Sequence, residues 1–272
     1  MARLRKPFFK FLRILLILIL IYLSLAYVIL PAAWKHYEYH VSLGSAPKTT
    51  QKSFGKPGDP LNVALVGTEE EFIQAMAAAG WSLAEPRNVL SELKIFEREI
   101  LKRRYPRAPV SNLYLFGRKQ DLAFERPVGK SPRQRHHARF WRADQYGLNG
   151  KPLWLGAATF DRSIGLSRIT GGITHHIAPD IDTERETLMN DLEKAGQLVQ
   201  TYQVTGIGPT FRATNGEGDW FYTDGEMTVS VLSADNKVQG QPPPALPSPA
   251  RIRLKNGIWA HLRGLLKFFE RF

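Results

Sequence analysis

Residues 153–160 read LWLGAATF, a run of apolar and small side chains entered through Gly150-Lys151-Pro152 and left through Asp161. A short run of this kind bounded by turn formers reads as a strand. Runs rich in β-branched and aromatic residues recur at 112–116, 122–124, 138–142, 172–178, 198–205, 211–214, 220–223 and 227–232. Asn215-Gly216 and Asp224-Gly225 carry the residues of tight hairpin turns. Three stretches break this texture. A strand at 61–66 is followed by Thr68 and Glu71 at capping-box spacing, then by Phe72, Ile73, Met76 and Ala79 on one helical face up to Gly80. Leu90, Leu93, Phe96 and Ile100 place a second helix over 89–102. Thr183 with Glu186 opens a third, which runs through Leu188, Met189 and Leu192 to Gly196. The fold class that follows is α+β, a mainly antiparallel sheet with a few helices, preceded by one N-terminal transmembrane helix.

The flanks of this domain, placed at 61–235, differ in composition from it. Residues 35–60 are rich in Ser, Thr, Gly, Pro and Lys and read as a linker, while 236–250 hold Pro242, Pro243, Pro244, Pro247 and Pro249 and read as a spacer. Beyond it, at 251–272, Ile258, Trp259, Leu262, Leu265, Leu266 and Phe269 follow helical spacing among basic residues. Such a basic amphipathic helix can lie on lipid or pack on its own domain.

The 272-residue chain has 37 Lys+Arg against 25 Asp+Glu, a formal +12. Residues 1–13 and 251–272 each carry a net +5, leaving +2 for everything between, too little for a domain-wide phosphate-binding field, so no nucleic acid partner is expected. Residues 14–34 contain no charge, long enough for the roughly 20 apolar residues that cross a bilayer. Trp34, Tyr37 and Tyr39 sit where an interfacial belt would lie, and the cations of 1–13 predict a cytoplasmic N-terminus with the main domain outside. Ser24 and Ala26 would suit signal-peptide cleavage, but the apolar run continues past them, which favours a retained anchor. The absence of Cys excludes disulfides, Cys-based zinc sites and thiol catalysis.

Chemistry is concentrated in two polar groups. The first holds Arg133, Arg135, His136, His137 and Arg139, and the second holds Asp161, Arg162, Ser163, Arg168, His175, His176, Asp180 and Asp182. In a strand Arg135, His137 and Arg139 share one face and His136, Ala138 and Phe140 the other. His137, His176 and Asp180 are the candidate catalytic set, and Arg135, Arg139 and Arg168 the candidate anion-binding set, since a guanidinium fork matches phosphate or carboxylate. The alternative for the same residues is a salt-bridged network across strands. No HExxH or other tight ligand spacing occurs, so no metal is assigned, and no cofactor is named. Thr205-Gly206-Ile207-Gly208-Pro209 lacks the P-loop ending and reads as a turn.

The segments 113–129 (LYLFGRKQDLAFERPVG), 133–141 (RQRHHARFW), 153–161 (LWLGAATFD) and 173–182 (ITHHIAPDID) together resemble the LssY C-terminal domain family, over about residues 60–232. Such domains occur behind a membrane segment or fused to membrane proteins, including phosphatidic acid phosphatase-like units. The resemblance implies a bacterial cell-envelope protein of the inner membrane and carries over no reaction and no catalytic residues. The leading expectation is a membrane-anchored binding or accessory module that contacts lipid through its anchor, and through its C-terminal helix if that helix lies on lipid rather than on the domain. The alternatives are a phosphate-ester or lipid-headgroup hydrolase using His and Asp with arginines on the anion, and a partner-binding domain.

Overall fold

A computed structural model of the chain describes residues 5–29, 43, 46–52, 55–84, 112–129, 134–147, 150–169, 171–233 and 243–270. The expected helix over 89–102 lies outside them. At the N-terminus α1 (Arg5–Ser24) runs on into a π-helical turn, Leu25–Ile29. Within it Phe9–Ile29 has a mean hydropathy of 2.6 and no buried residue, and it is long and apolar enough to cross a membrane. The last residues of the expected span, 30–34, are outside the described part.

The domain is built on an eight-stranded sheet. Its strands are β3 (Val63–Val66), β4 (Ser82–Leu83), β7 (Leu122–Pro127), β8 (Arg135–Tyr146), β9 (Pro152–Leu166), β10 (Ile173–Ile177), β11 (Leu198–Thr205) and β14 (Glu226–Leu232). They lie in the order β11-β14-β3-β9-β8-β7-β4, with β10 also paired to β9. Every pair is antiparallel except β14 with β3, where Thr228 to Val231 run beside Val63 to Val66. A four-stranded sheet joins β1 (Thr49–Gln51), β2 (Pro57–Pro60), β5 (Tyr114–Leu115) and β6 (Arg118–Lys119), and β12 (Thr210–Thr214) pairs with β13 (Trp220–Thr223).

Two helices explain one face of the large sheet. The α2 helix (Glu69–Ala78) begins with the expected capping box, Thr68 accepting from the Glu71 backbone and Glu71 from that of Thr68. Its Phe72 and Met76 pack with Leu188 and Leu192 of α3 (Ile181–Lys194) against Val63, Leu65, Phe124, Phe140 and Trp154. Phe72 meets the Phe140 ring edge-on at 4.6 Å. Gly156 faces Phe140 and Val63 so closely that a Cβ would overlap both, so this position in β9 takes no side chain. The opposite face carries Ala64, Val66, Trp141, Leu155, Tyr202, Val204 and Val229, packed with Leu113 and Leu115 from the β5 end of the smaller sheet. All four residues of β3 are buried, as expected for a strand covered on both sides.

Several boundaries differ from the sequence reading. The segment read as a linker supplies β1 and β2, because Thr49 and Gln51 pair with Pro60 and Pro57 and Gln51 also with Tyr114. Part of the proline-rich spacer lies along an edge strand: Leu246 N–H donates to Thr201 O (3.0 Å) and Thr201 N–H to Pro244 O (3.3 Å). Proline suits such an edge because few donors are required of it. Asp224-Gly225 is no hairpin turn, since β13 pairs with β12 while β14 pairs with β11 and β3. The third helix starts at Ile181, two residues before Thr183, because Asp180 caps it by accepting from the Thr183 backbone. The C-terminal helix α4 spans Ala250–Phe269.

Candidate functional site

The strand register brings the polar residues together. In β8 the alternation holds: Ala138 and Phe140 enter the helix-side core and Trp141 the other, with Arg135, His137 and Arg139 buried among polar partners. Arg135 lies opposite Asp161 of β9, and His137 lies opposite Thr159 on one side and Glu125 of β7 on the other.

Asp161 is the centre of this cluster. Arg135 donates from Nε to Asp161 Oδ2 (2.9 Å) and from Nη1 to Glu125 Oε2 (2.8 Å). His137 Nε2 is 2.7 Å from Asp161 Oδ1 and 2.8 Å from Thr159 Oγ1. His175 Nδ1 stands 3.8 Å from Asp161 Oδ2 and 3.4 Å from Arg135 Nη2. Arg135, His137, Glu125 and Asp161 are each at most 3% exposed. Burial pushes the His137 imidazole below its ordinary value, against the pull of Asp161 and with the help of the Arg139 and Arg135 guanidiniums. Its Nε2 faces both Asp161 and Thr159, and Nδ1 is buried with no hydrogen-bond partner among the described residues. Burial opposes ionisation of Asp161, but the electrostatic pull of the His137 and His175 imidazoles, with the hydrogen bond from His137 and the charge of Arg135, outweighs it and holds the carboxyl well below the usual range. Asp161 and Thr159 both engage the same nitrogen of His137, so this is not a relay in which a carboxylate orients one nitrogen and the other serves a hydroxyl.

A second group surrounds the turn Asn215-Gly216-Glu217-Gly218-Asp219. Asn215 Oδ1 accepts from the backbones of Glu217 (3.0 Å) and Asp219 (3.1 Å), which fixes the turn. His176 Nδ1 donates to Asp219 Oδ1 at 2.7 Å. Its Nε2 edge lies against Gly165, in space that a side chain there would fill. Arg168 donates its backbone N–H to Glu217 Oε2 (2.8 Å), and its exposed guanidinium crosses Gly218. Ser167 and Lys52 also reach Glu217. The turn connects back to the first group, since Asn215 Nδ2 donates to Asp59 Oδ1 (3.3 Å) and Asp59 Oδ2 lies 3.5 Å from Arg139 Nη1.

The candidate residues are thus distributed over three settings. Arg135 and His137 share Asp161. Arg139, Arg168 and His176 adjoin the 215–219 turn or its partner Asp59. Asp180 caps α3 through Thr183, by its Oδ1 to the backbone and its Oδ2 to the hydroxyl. Among the described residues no group of three or more His, Asp or Glu side chains is arranged to hold a metal ion. Glu125, Asp59, Asp219 and Glu184 are partners that sequence reasoning did not single out. Glu125 carried a signal, an acid in the middle of the apolar strand Leu122–Pro127; the others come from distant segments. Glu184 accepts from Nδ1 of His136 (2.7 Å), whose ring faces Phe160 on the helix side of the sheet. Burial, which outweighs His136 and Arg126, pushes the Glu184 carboxyl up.

No curated protein and no solved structure matches the chain. A family model described as the LssY C-terminus matches residues 43–227, a span that takes in β1 and β2 and the whole ionic network. The protein therefore belongs to the LssY C-terminal domain family.

Proposed function

We propose that this is a single-pass protein of the bacterial inner membrane, N-terminus in the cytoplasm, that holds its LssY-like domain on the outer side as a binding or accessory module. The apolar helix Phe9–Ile29 and the cations before it support the anchor and its direction. The observation that carries binding over hydrolysis is the separate commitment of the acid–base side chains: His137 to Asp161, His176 to Asp219 and Asp180 to Thr183. Hydrolysis would require them to act on one substrate.

Two measurements test this reading. A reporter active only outside the cytoplasm, fused after residue 272, is expected to be active; activity of a cytoplasmic reporter at the same place overturns the orientation. The full chain in detergent is expected to show no turnover of chromogenic phosphate mono- or diesters. Turnover abolished by His176→Ala or His137→Ala would establish the hydrolase instead.

A further inference from the structure

The helix α4 (Ala250–Phe269) has two unlike apolar sides. Ile252 and Trp259 are buried, whereas Leu254, Ile258, Leu265 and Phe268 are exposed by 43% to 63%. At 100° per residue these four lie within an arc of about 80° and form one continuous stripe. Arg251, Arg253 and Lys267 are also exposed, and Glu270 is the sole acid from Ala250 to the end of the chain. Five cations along the helix prevent it from crossing a bilayer, and Phe9–Ile29 is the one candidate span among the described residues.

We infer that α4 lies along an anionic lipid surface, with Leu254, Ile258 and Leu265 at the acyl boundary and Arg251 and Arg253, which flank the stripe on either side, at headgroup level. An exposed apolar stripe flanked by exposed arginines, with no acid within the helix, is complementary to an anionic leaflet, which offers acyl chains to the stripe and negative headgroups on either side of it. A second copy of the chain fits less well, because two such helices face to face would bring cation against cation. The inference rests on the membrane-anchored reading but not on its orientation.

The chain has no cysteine, so single labels are unambiguous. The full-length protein is reconstituted in lipid nanodiscs, either purely zwitterionic or containing a third phosphatidylglycerol, with an environment-sensitive dye at Leu265→Cys, Ala260→Cys or Leu18→Cys. The dye at 265 is expected to shift to the blue and to be quenched by spin-labelled lipid in the anionic discs, while the dye at 260, on the far side of the helix, is not. Combining Arg251→Gln with Arg253→Gln is expected to weaken this insertion, about fivefold for each charge removed. Quenching at 18 without quenching at 265 overturns the inference and leaves the anchor standing; no quenching at 18 overturns the anchor itself. A blue shift at 265 that no spin-labelled lipid quenches also overturns the inference, in favour of a protein partner if the shift depends on the number of chains per disc and of packing within the chain if it does not.

Discussion

At Asp161 one carboxylate answers two buried donors, Arg135 and His137, each within 3 Å. Removing one member of a buried ionic group leaves the others uncompensated, at a cost of about 3–5 kcal/mol. Asp161→Ala is therefore expected to lower the unfolding free energy of the domain by that order in urea titrations, seen as a lower midpoint; an unchanged midpoint would refute a structural role for the cluster. The pH dependence has a definite sign. The folded state holds His137 below its ordinary value of 6.5, so the unfolded chain takes up the proton first and stability is lost as pH falls below about 6.5. Asp161, held low by its partners, adds a loss at pH values below the ordinary carboxylate range. Between pH 7.5 and 5.5 the wild type is expected to lose up to about 1.4 kcal/mol per pH unit from His137, and His137→Gln to show a shallower fall. Equal slopes for the two proteins would show that His137 does not titrate between the states. Little of this was legible beforehand: the face shared by Arg135, His137 and Arg139 follows from alternation, but their acceptors Asp161, Glu125 and Asp59 are set by register and by chain segments far apart.

Elements were easier to read where local chemistry fixes them. The α2 cap is written in Thr68 and Glu71, and Thr68→Ala is expected to cost about 1 kcal/mol in the same denaturation experiment. The reading failed where a local signal has more than one outcome. Asp224-Gly225 has hairpin chemistry, yet the chain uses it to pass from one sheet to another. Gly225 has φ +78, and its carbonyl accepts from Gly206 (2.8 Å) and Gly208 (3.3 Å), so the glycine-rich 205–209 turn lies directly against it. A Cβ on Gly225 would overlap the Gly208 backbone. Gly225→Ala is expected to cost about 3 kcal/mol or more, since a left-handed backbone and a backbone clash are penalised together. Gly55→Ala, left-handed but with open space around the missing Cβ, should cost about 1 kcal/mol. Comparable losses at the two sites would contradict the close approach. Composition likewise misassigned residues 49–60 and 244–246, because polar or proline-rich segments can pair at a sheet edge, and only the neighbouring strand decides whether they do.

Over the whole molecule, the +12 of the sequence resolves into two basic ends around a nearly neutral domain, in which buried cations and carboxylates face one another. Basic residues precede the apolar helix at one end and line α4 at the other. The parallel pair at the centre of the sheet has a further meaning for how the domain comes into being. Val63 stands beside Thr228, so the first strand of the large sheet in sequence is completed by the last. Synthesis delivers β3 early and β14 late, and the loop to be closed between them costs entropy before any pairing rewards it. Until β14 arrives, β3 has an unpaired side available to any passing strand, a period in which the nascent domain depends on chaperones or on the speed of its own completion.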